Sequence, residues 1–446
     1  VADVVAGELL ADARVSAEHL GWQLRVSNAL PGESLRVRIE HTSKGAPVAW
    51  ASALEVLEPH AARREPPCAI HGRCGGCGLQ HADDDAQLEL KVRSHIADLP
   101  EALAAALTPT DRWITGPAFG YRHKATLVAG GSVRLLLGAF ARGTHEVVDQ
   151  PECAVLAPSL RAAADQLREA IRPHVDSGRM PRRPPGSDAK HGLRAIVLRG
   201  NRQGEVLATV VVRHRDDAAM LRGPLAALVE QEGPITGVHT SVLADDSDRI
   251  HGTGTPRVVT GAHTLTERIG DLDLRVAPLG FFQVNPFVLE ALAARVAEAV
   301  GPDPCSLLDL YCGGGVLGLS AVRPGGSLLG VEIDRGAVSR ARKDAASAEI
   351  EAEFLAGSPS ESLADRSMDV AILDPPRAGA RGPDLAALVA TNPRRIVYVS
   401  CHHKSLGRDA AKLLAAGYTA TSLTPADMLP QTPHVEWLAT FERAGD

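Results

Sequence analysis

Two side chains near the end of this chain have the types and setting for covalent chemistry on an unsaturated ring. Cys401 closes the apolar run Ile396-Val397-Tyr398-Val399-Ser400, and Glu436 stands in Pro433-His434-Val435-Glu436-Trp437. A thiolate can add to an electron-poor ring carbon, and a carboxylate beside it can then remove the proton that has to leave. Alone, such a pair is weakly informative. What lies upstream makes it specific.

Leu307-Leu308-Asp309-Leu310-Tyr311-Cys312-Gly313-Gly314-Gly315 reads as a strand running into a glycine-rich turn that opens a helix. Bare backbone N–H groups there admit a nucleotide-like ligand closely. Gly313, Gly315 and Gly318 also satisfy the dinucleotide spacing, so the loop alone leaves a nicotinamide cofactor and S-adenosylmethionine both open. Glu332 ends the next strand, where a carboxylate accepts hydrogen bonds from ribose hydroxyls in either case. Asp374-Pro375-Pro376-Arg377 follows a third strand, and an acid before a rigid Pro-Pro turn resembles the substrate-side loop of class I methyltransferases, which favours methyl transfer.

A second constellation lies far upstream. Cys68, Cys74 and Cys77 share a loop with Gly72, Gly75 and Gly76, which let the backbone curl around an inorganic centre, and Cys153 in Gln150-Pro151-Glu152-Cys153 adds a fourth thiol. By ligand type a tetrahedral zinc site is the other reading. Cys305 and Cys312 lack such neighbours and read as packing residues.

The elements that must carry these groups fall into three stretches. Residues 1–58 alternate short β runs, Gln23 to Val26 and Ser34 to Ile39, around the turn Leu30-Pro31-Gly32-Glu33, and predict a small β-barrel. Residues 59–276 hold the cysteine loop, a helix over Asp84 to Leu107 with Leu88, Val92, Ile96 and Leu99 on one face, and then strand-rich sequence that predicts a mixed sheet. Residues 277–446 alternate helices with buried strands, the pattern of a doubly wound α/β domain.

Composition sets bounds. A chain of 446 residues with 45% hydrophobic content is large enough for several cores. A net charge of −7 excludes a generally basic nucleic-acid coat, and 3% aromatic content restricts base stacking to a few positions. No stretch reaches ~18 apolar residues and the start lacks a leader pattern, so the expectation is a cytoplasmic monomer with no membrane association. Seven cysteines in such a chain point to metal ligation or catalysis rather than structural disulfides.

Phe281-Phe282-Gln283-Val284-Asn285, Asp309 to Gly315, Asp374 to Arg377, Val399-Ser400-Cys401 and Asp427-Met428 through His434-Val435-Glu436 together resemble the RNA uracil-5-methyltransferase family, in the family's order. The resemblance implies an α/β fold with a C-terminal class I, Rossmann-like methyltransferase domain. It implies that Gln283, Tyr311, Glu332 and Asp374 contact S-adenosylmethionine, that Cys401 attacks C6 of uracil, and that Glu436 removes the C5 proton after methylation. It further implies a [4Fe-4S] cluster on Cys68, Cys74, Cys77 and Cys153, as in the branch acting on 23S ribosomal RNA. The expected partner is therefore RNA, ribosomal before transfer RNA. Ala29-Leu30-Pro31-Gly32-Glu33 and its β run resemble the TRAM domain, an RNA-binding barrel, with Arg25, Arg36, Arg38 and Lys44 as its basic residues. Arg63-Arg64, Arg122, Lys124 and Arg179-Met180-Pro181-Arg182-Arg183 are further candidate phosphate contacts.

The cytosine-5 enzymes place a second cysteine in the loop corresponding to Asp374-Pro375-Pro376, and none stands there, which favours uracil. Three positions depart from the family: His402-His403 replaces Asn-Pro after the nucleophile, Val316 replaces an asparagine in the glycine loop, and Gln431 replaces a histidine. A non-catalytic or redox-sensing RNA-binding protein and a nicotinamide-dependent dehydrogenase are the competing readings.

Overall fold

A computed structural model of the chain describes residues 1–131, 134–180, 191–245, 249–252 and 254–443. Two compact units emerge, one of residues 1–72, 77–118 and 288–446, the other of residues 73–76 and 119–287.

In the first unit, strands Ala2–Val5, Val15–His19, Trp22–Ser27, Ser34–Thr42 and Val48–Glu58 form one sheet in the order first, fourth, fifth, third, second. Alternation buries Val4, Val15, Leu24, Val26, Leu35 and Val37 on one face. Just past the first strand, Gly7 N–H donates to Ser16 O (2.6 Å) and Glu8 O accepts from Ser16 N–H (2.9 Å), linking the two edge strands. The turn at Gly32 needs a positive φ (+82°), and the buried Glu33 carboxylate ties it to the Leu30 N–H and the Arg63 guanidinium.

Helix Asp84–Ile96 follows. It stops short of the predicted Leu107 because Pro100 cannot continue it, and a single turn, Glu101–Ala104, starts after that proline. Leu90 joins the core of the small sheet, while Leu88 and Val92 join the core of the α/β sheet. One helix therefore seals two cores.

The α/β sheet has seven strands, in spatial order Ala352–Ala356, Ser327–Glu332, Ser306–Leu310, Val370–Leu373, Arg395–Ser400, Glu436–Arg443 and Tyr418–Ala426. The first five are parallel, and Glu436–Arg443 lies antiparallel between its two neighbours. The order reverses beside Ser306–Leu310, so the glycine turn after that strand opens at a switch point, where open α/β sheets bind ligands.

The second unit is built on another seven-stranded sheet, in the order Arg257–Gly261, Ile235–Val242, Val206–Val212, Leu193–Gly200, Lys124–Gly130, Leu136–Phe140, Val147–Asp149. It is mixed: Val206–Val212 and Ile235–Val242 run parallel and the other pairs antiparallel. Helices Pro158–Asp176 and Arg215–Glu230 supply apolar residues to its core. No described helix is long and apolar enough to cross a membrane.

Candidate active site

The parallel strands deliver their acids to one edge. Asp309 is fully buried near the end of Ser306–Leu310 and accepts the Gly318 N–H (2.9 Å). Tyr311 then takes a positive φ (+59°), and Gly313 and Gly315 follow at +54° and +80°. Left-handed backbone is cheap at the two glycines and costly at Tyr311, so the chain is held in a tight curl there. Glu332 ends the adjacent strand. Its carboxylate accepts the Gly313 N–H (3.1 Å) and the Asp334 N–H (2.8 Å), so it is already oriented beside the glycine turn.

The Tyr311 hydroxyl donates to Asp384 (2.7 Å), a carboxylate that also holds the Arg381 guanidinium and the Ser360 N–H. Burial opposes that charge, but the bonds from Arg381, Tyr311 and Ser360 bring Asp384 down to about 2. Tyr311 is thus a strut of the site wall, with its hydroxyl committed to protein.

Asp374 follows Val370–Leu373, and its loop is pinned by the buried Asp409, whose carboxylate accepts the Ala380 N–H (2.8 Å) and the Tyr398 hydroxyl (2.9 Å). Antiparallel pairing explains how residues distant in sequence meet. Ser400 pairs with Trp437, so one step beyond that pair Cys401 and Glu436 leave the ladder side by side. The turn after Cys401 is held without the family's Asn-Pro. The Ser400 hydroxyl accepts the His402 N–H (3.3 Å), and the Ser405 hydroxyl donates to the carbonyls of His402 (2.9 Å) and Arg377 (3.1 Å).

The convergence has electrostatic consequences. Burial, then the Glu436 and Asp374 carboxylates, push the Cys401 thiol up to about 11, with Arg377 pulling the other way. Burial pushes Asp374 up to about 7, and burial and Asp374 together hold Glu436 well above the usual carboxylate range. Asp309 is raised to about 8 by burial against the Gly318 bond, with Asp374 and Glu332 adding to the rise. A cluster so rich in buried acids disfavours its own ionisation and favours a cationic guest. The Glu436 Oε1 atom is buried with no hydrogen-bond partner among the described residues.

Gln283, by contrast, belongs to the second unit. There its segment is fixed by backbone: Gly280 O and Phe282 O accept the Arg199 guanidinium (2.7 and 3.1 Å), and Val284 O accepts the His123 N–H (2.8 Å).

The cysteine expectation fares differently. Cys68 and Cys77 belong to the first unit, Cys74 and Cys153 to the second. Among the described residues no three His, Cys, Asp or Glu side chains form a group that could hold a metal ion. Cys74 instead pairs in a bridge with Ala141, and its sulfur accepts from Gln150 Nε2 (2.8 Å) and the Gly76 N–H (3.3 Å). The thiols have the right donor type, and the cluster stays an expectation of the resemblance.

The candidate phosphate contacts are mostly spoken for. Arg25, Arg36 and Arg38 face Asp12, Asp3 with Glu55, and Glu40, while Arg63 and Arg64 hold Glu33 and Asp84. From Pro181 on, the run beginning at Arg179 lies outside the described residues.

Comparison with known proteins fits this geometry. A family model described as the methyltransferase small domain matches residues 289–390. An uncharacterized RNA methyltransferase of Gloeobacter violaceus is 32% identical over 435 residues, covering 95% of this chain and 92% of the relative. Another, from Thermosynechococcus vestitus, is 34% identical over 442 residues, covering 94% and 93%. The chain belongs to the RNA methyltransferases. Membership decides the open reading of the glycine loop in favour of methyl transfer. Its structure is also similar to that of the Pyrococcus abyssi tRNA (uracil-54, C5)-methyltransferase in complex with S-adenosyl-L-homocysteine, with a TM-score of 0.76 and 26% identity over 98% of this chain and 99% of that one.

Several residues around this RNA methyltransferase's site escaped sequence reasoning. Asp384 gave no signal. Asp309 did: a carboxylate inside Leu307-Leu308-Asp309-Leu310 is a buried acid in waiting. Gln87, Lys91 and His95 lie off the face marked by Leu88 and Val92, carry no signal in the sequence, and are buried.

Proposed function

We propose that this chain transfers the methyl group of S-adenosylmethionine to C5 of a uracil in folded RNA, with Cys401 as nucleophile and Glu436 as base. The observation that carries the proposal is the strand-edge juxtaposition of these two, one register step beyond Ser400 and Trp437, beside an acid-rich switch point. Uracil C5 is too poor a nucleophile to take a methyl group unaided. A Cys401 Sγ–C6 bond makes C5 enolate-like, and C5 displaces S-adenosylhomocysteine as it takes the methyl. Glu436 then accepts the C5 proton, and the electron pair of that C–H bond restores the ring as the thiolate leaves. Tyr311, Glu332, Asp374 and Gln283 are the proposed contacts to the donor, Glu332 through ribose hydroxyls and Asp374 at the methyl-bearing side. The base must present both faces, so the uridine is unpaired or extruded.

Ribosomal RNA is the substrate expected from the cysteine-loop resemblance. Transfer RNA is the second reading, favoured by the likeness to the Pyrococcus abyssi enzyme. Mapping 5-methyluridine in ribosomal and transfer RNA from cells with and without the gene separates them. The chemistry is tested with Glu436→Ala, labelled S-adenosylmethionine and RNA. Ring addition and methylation proceed while release stalls, so a labelled protein–RNA adduct should survive denaturing electrophoresis and vanish in Cys401→Ser. Incorporation by wild type with no adduct in Glu436→Ala removes the assigned roles, and no incorporation at all supports the RNA-binding reading.

A further inference from the structure

Helix Asp84–Ile96 carries Gln87, Lys91 and His95 four residues apart on one face, and all three are buried, at 1%, 0% and 5% exposure. Polar groups so placed cost free energy, and a buried ion pair stabilises a fold less well than packed apolar side chains. Their partners show what they do. Lys91 Nζ donates to Asp427 (2.8 Å) and to Leu429 O (3.4 Å). Gln87 exchanges two bonds with Gln431, donating to its Oε1 (2.9 Å) and accepting its N–H (2.8 Å), and so holds Gln431 in a left-handed conformation (φ +68°). Asp427, Leu429 and Gln431 all lie in the connection that leads into Glu436. One turn further along, His95 stacks on His403 at 4.0 Å, two residues past Cys401, and Asp98 accepts from His403 Nε2 (3.0 Å).

We infer that Gln87, Lys91 and His95 are positioning residues that fix the catalytic base relative to the nucleophile, each gripping the approach to one of the two. This rests on the roles proposed for Cys401 and Glu436. Nothing else described can place the Glu436 carboxylate through Oε1, which has no partner. Its position depends on its backbone, which is set by pairing with Ala426 and by the incoming segment 427–435 that the stripe braces. A displacement of about 1 Å at a reacting group costs on the order of a hundredfold in rate, so loosening the grip on 427–435 slows proton removal before it affects donor binding.

The test uses full-length Lys91→Met and the charge-neutral pair Lys91→Met with Asp427→Asn, which avoids stranding a buried carboxylate. The double variant should fold and bind S-adenosylmethionine as wild type does, yet turn over about tenfold to a hundredfold more slowly. The protein–RNA adduct should build up, and RNA deuterated at uracil C5 should show a primary isotope effect larger than in wild type. A purely structural role moves neither adduct level nor isotope effect. Wild-type turnover and adduct level in the double variant overturn the inference, as does failure of both variants to fold. The proposed roles are judged separately, by adduct formation in Glu436→Ala.

Discussion

The raised Cys401 thiol makes a sharp demand on the donor. At pH 8 a thiol at about 11 is ionised to about one part in a thousand, against about a tenth for a thiol at 9, so the resting thiol should react about a hundredfold more slowly than an ordinary cysteine. A sulfonium about 5 Å from the sulfur contributes roughly 3 kcal/mol at an effective dielectric of about 20, enough to return the thiol to about 9. S-adenosylhomocysteine fills the same space without that charge. Alkylation of Cys401 by iodoacetamide, followed by mass spectrometry of its peptide between pH 7 and 10, reads this directly. Without ligand, or with S-adenosylhomocysteine, the rate should climb about tenfold per pH unit throughout. With S-adenosylmethionine it should level off near pH 9. Shielding by the ligand scales the whole curve and leaves the midpoint alone, so it cannot imitate the effect. Identical midpoints with the two ligands would refute the reasoning, and so would a free thiol that already levels off below pH 9.

Two other outcomes follow from the description above. Burial depresses His81 to about 4 and His95 to about 3, below their unfolded value near 6.5, so the unfolded chain takes up protons first. Their contribution is whole above about pH 6.5 and is lost as pH falls toward those lower values, by about 1.4 kcal/mol per pH unit for each. Denaturant titrations at pH 7, 6 and 5 should show that decline, and His95→Leu should make it shallower by about 1.4 kcal/mol per pH unit; an unchanged slope counts against it. For the cysteine loop, metal analysis of anaerobically purified protein decides the sequence expectation. Iron with equal acid-labile sulfide supports a cluster on Cys68, Cys74, Cys77 and Cys153, and their absence, or zinc alone, leaves the arrangement around Cys74 as it stands.

What could be read from the sequence was whatever leaves a periodic or compositional trace. The strands Ser306–Leu310, Ser327–Glu332, Val370–Leu373 and Arg395–Ser400 are covered on both faces, so they appear as short apolar runs, interrupted in the first by Asp309, and the glycine turn stands out against them. The last two strands were not legible. Tyr418–Ala426 mixes threonines with Pro425 and ends in the polar connection to Glu436, so neither alternation nor a continuous run marks it. The antiparallel insertion that puts Glu436 beside Cys401 is a property of topology, invisible to local pattern. The bracing helix shows the same limit from another side. Its apolar residues Leu88 and Val92 were evident, but a buried polar stripe and a solvated one are written with the same residues. Tyr311 was picked out by motif, yet its partner Asp384 lies far along the chain and only the fold joins them.

The acid-rich switch point carries a further consequence for turnover. Asp309, Asp374 and Glu436 are all raised mainly by burial, so these acids resist ionisation unless a positive charge joins them. A cationic donor favours the charged forms of these acids and of Cys401, and it must outweigh the carboxylates, which by themselves oppose the thiolate. Methyl transfer then removes the positive charge from the donor. The carboxylates are left facing a neutral thioether, and the attraction that admitted the donor no longer holds the spent product. Binding, activation and release therefore draw on one electrostatic imbalance. Replacing any of the three acids by its amide should disturb donor affinity and thiol reactivity together rather than one alone.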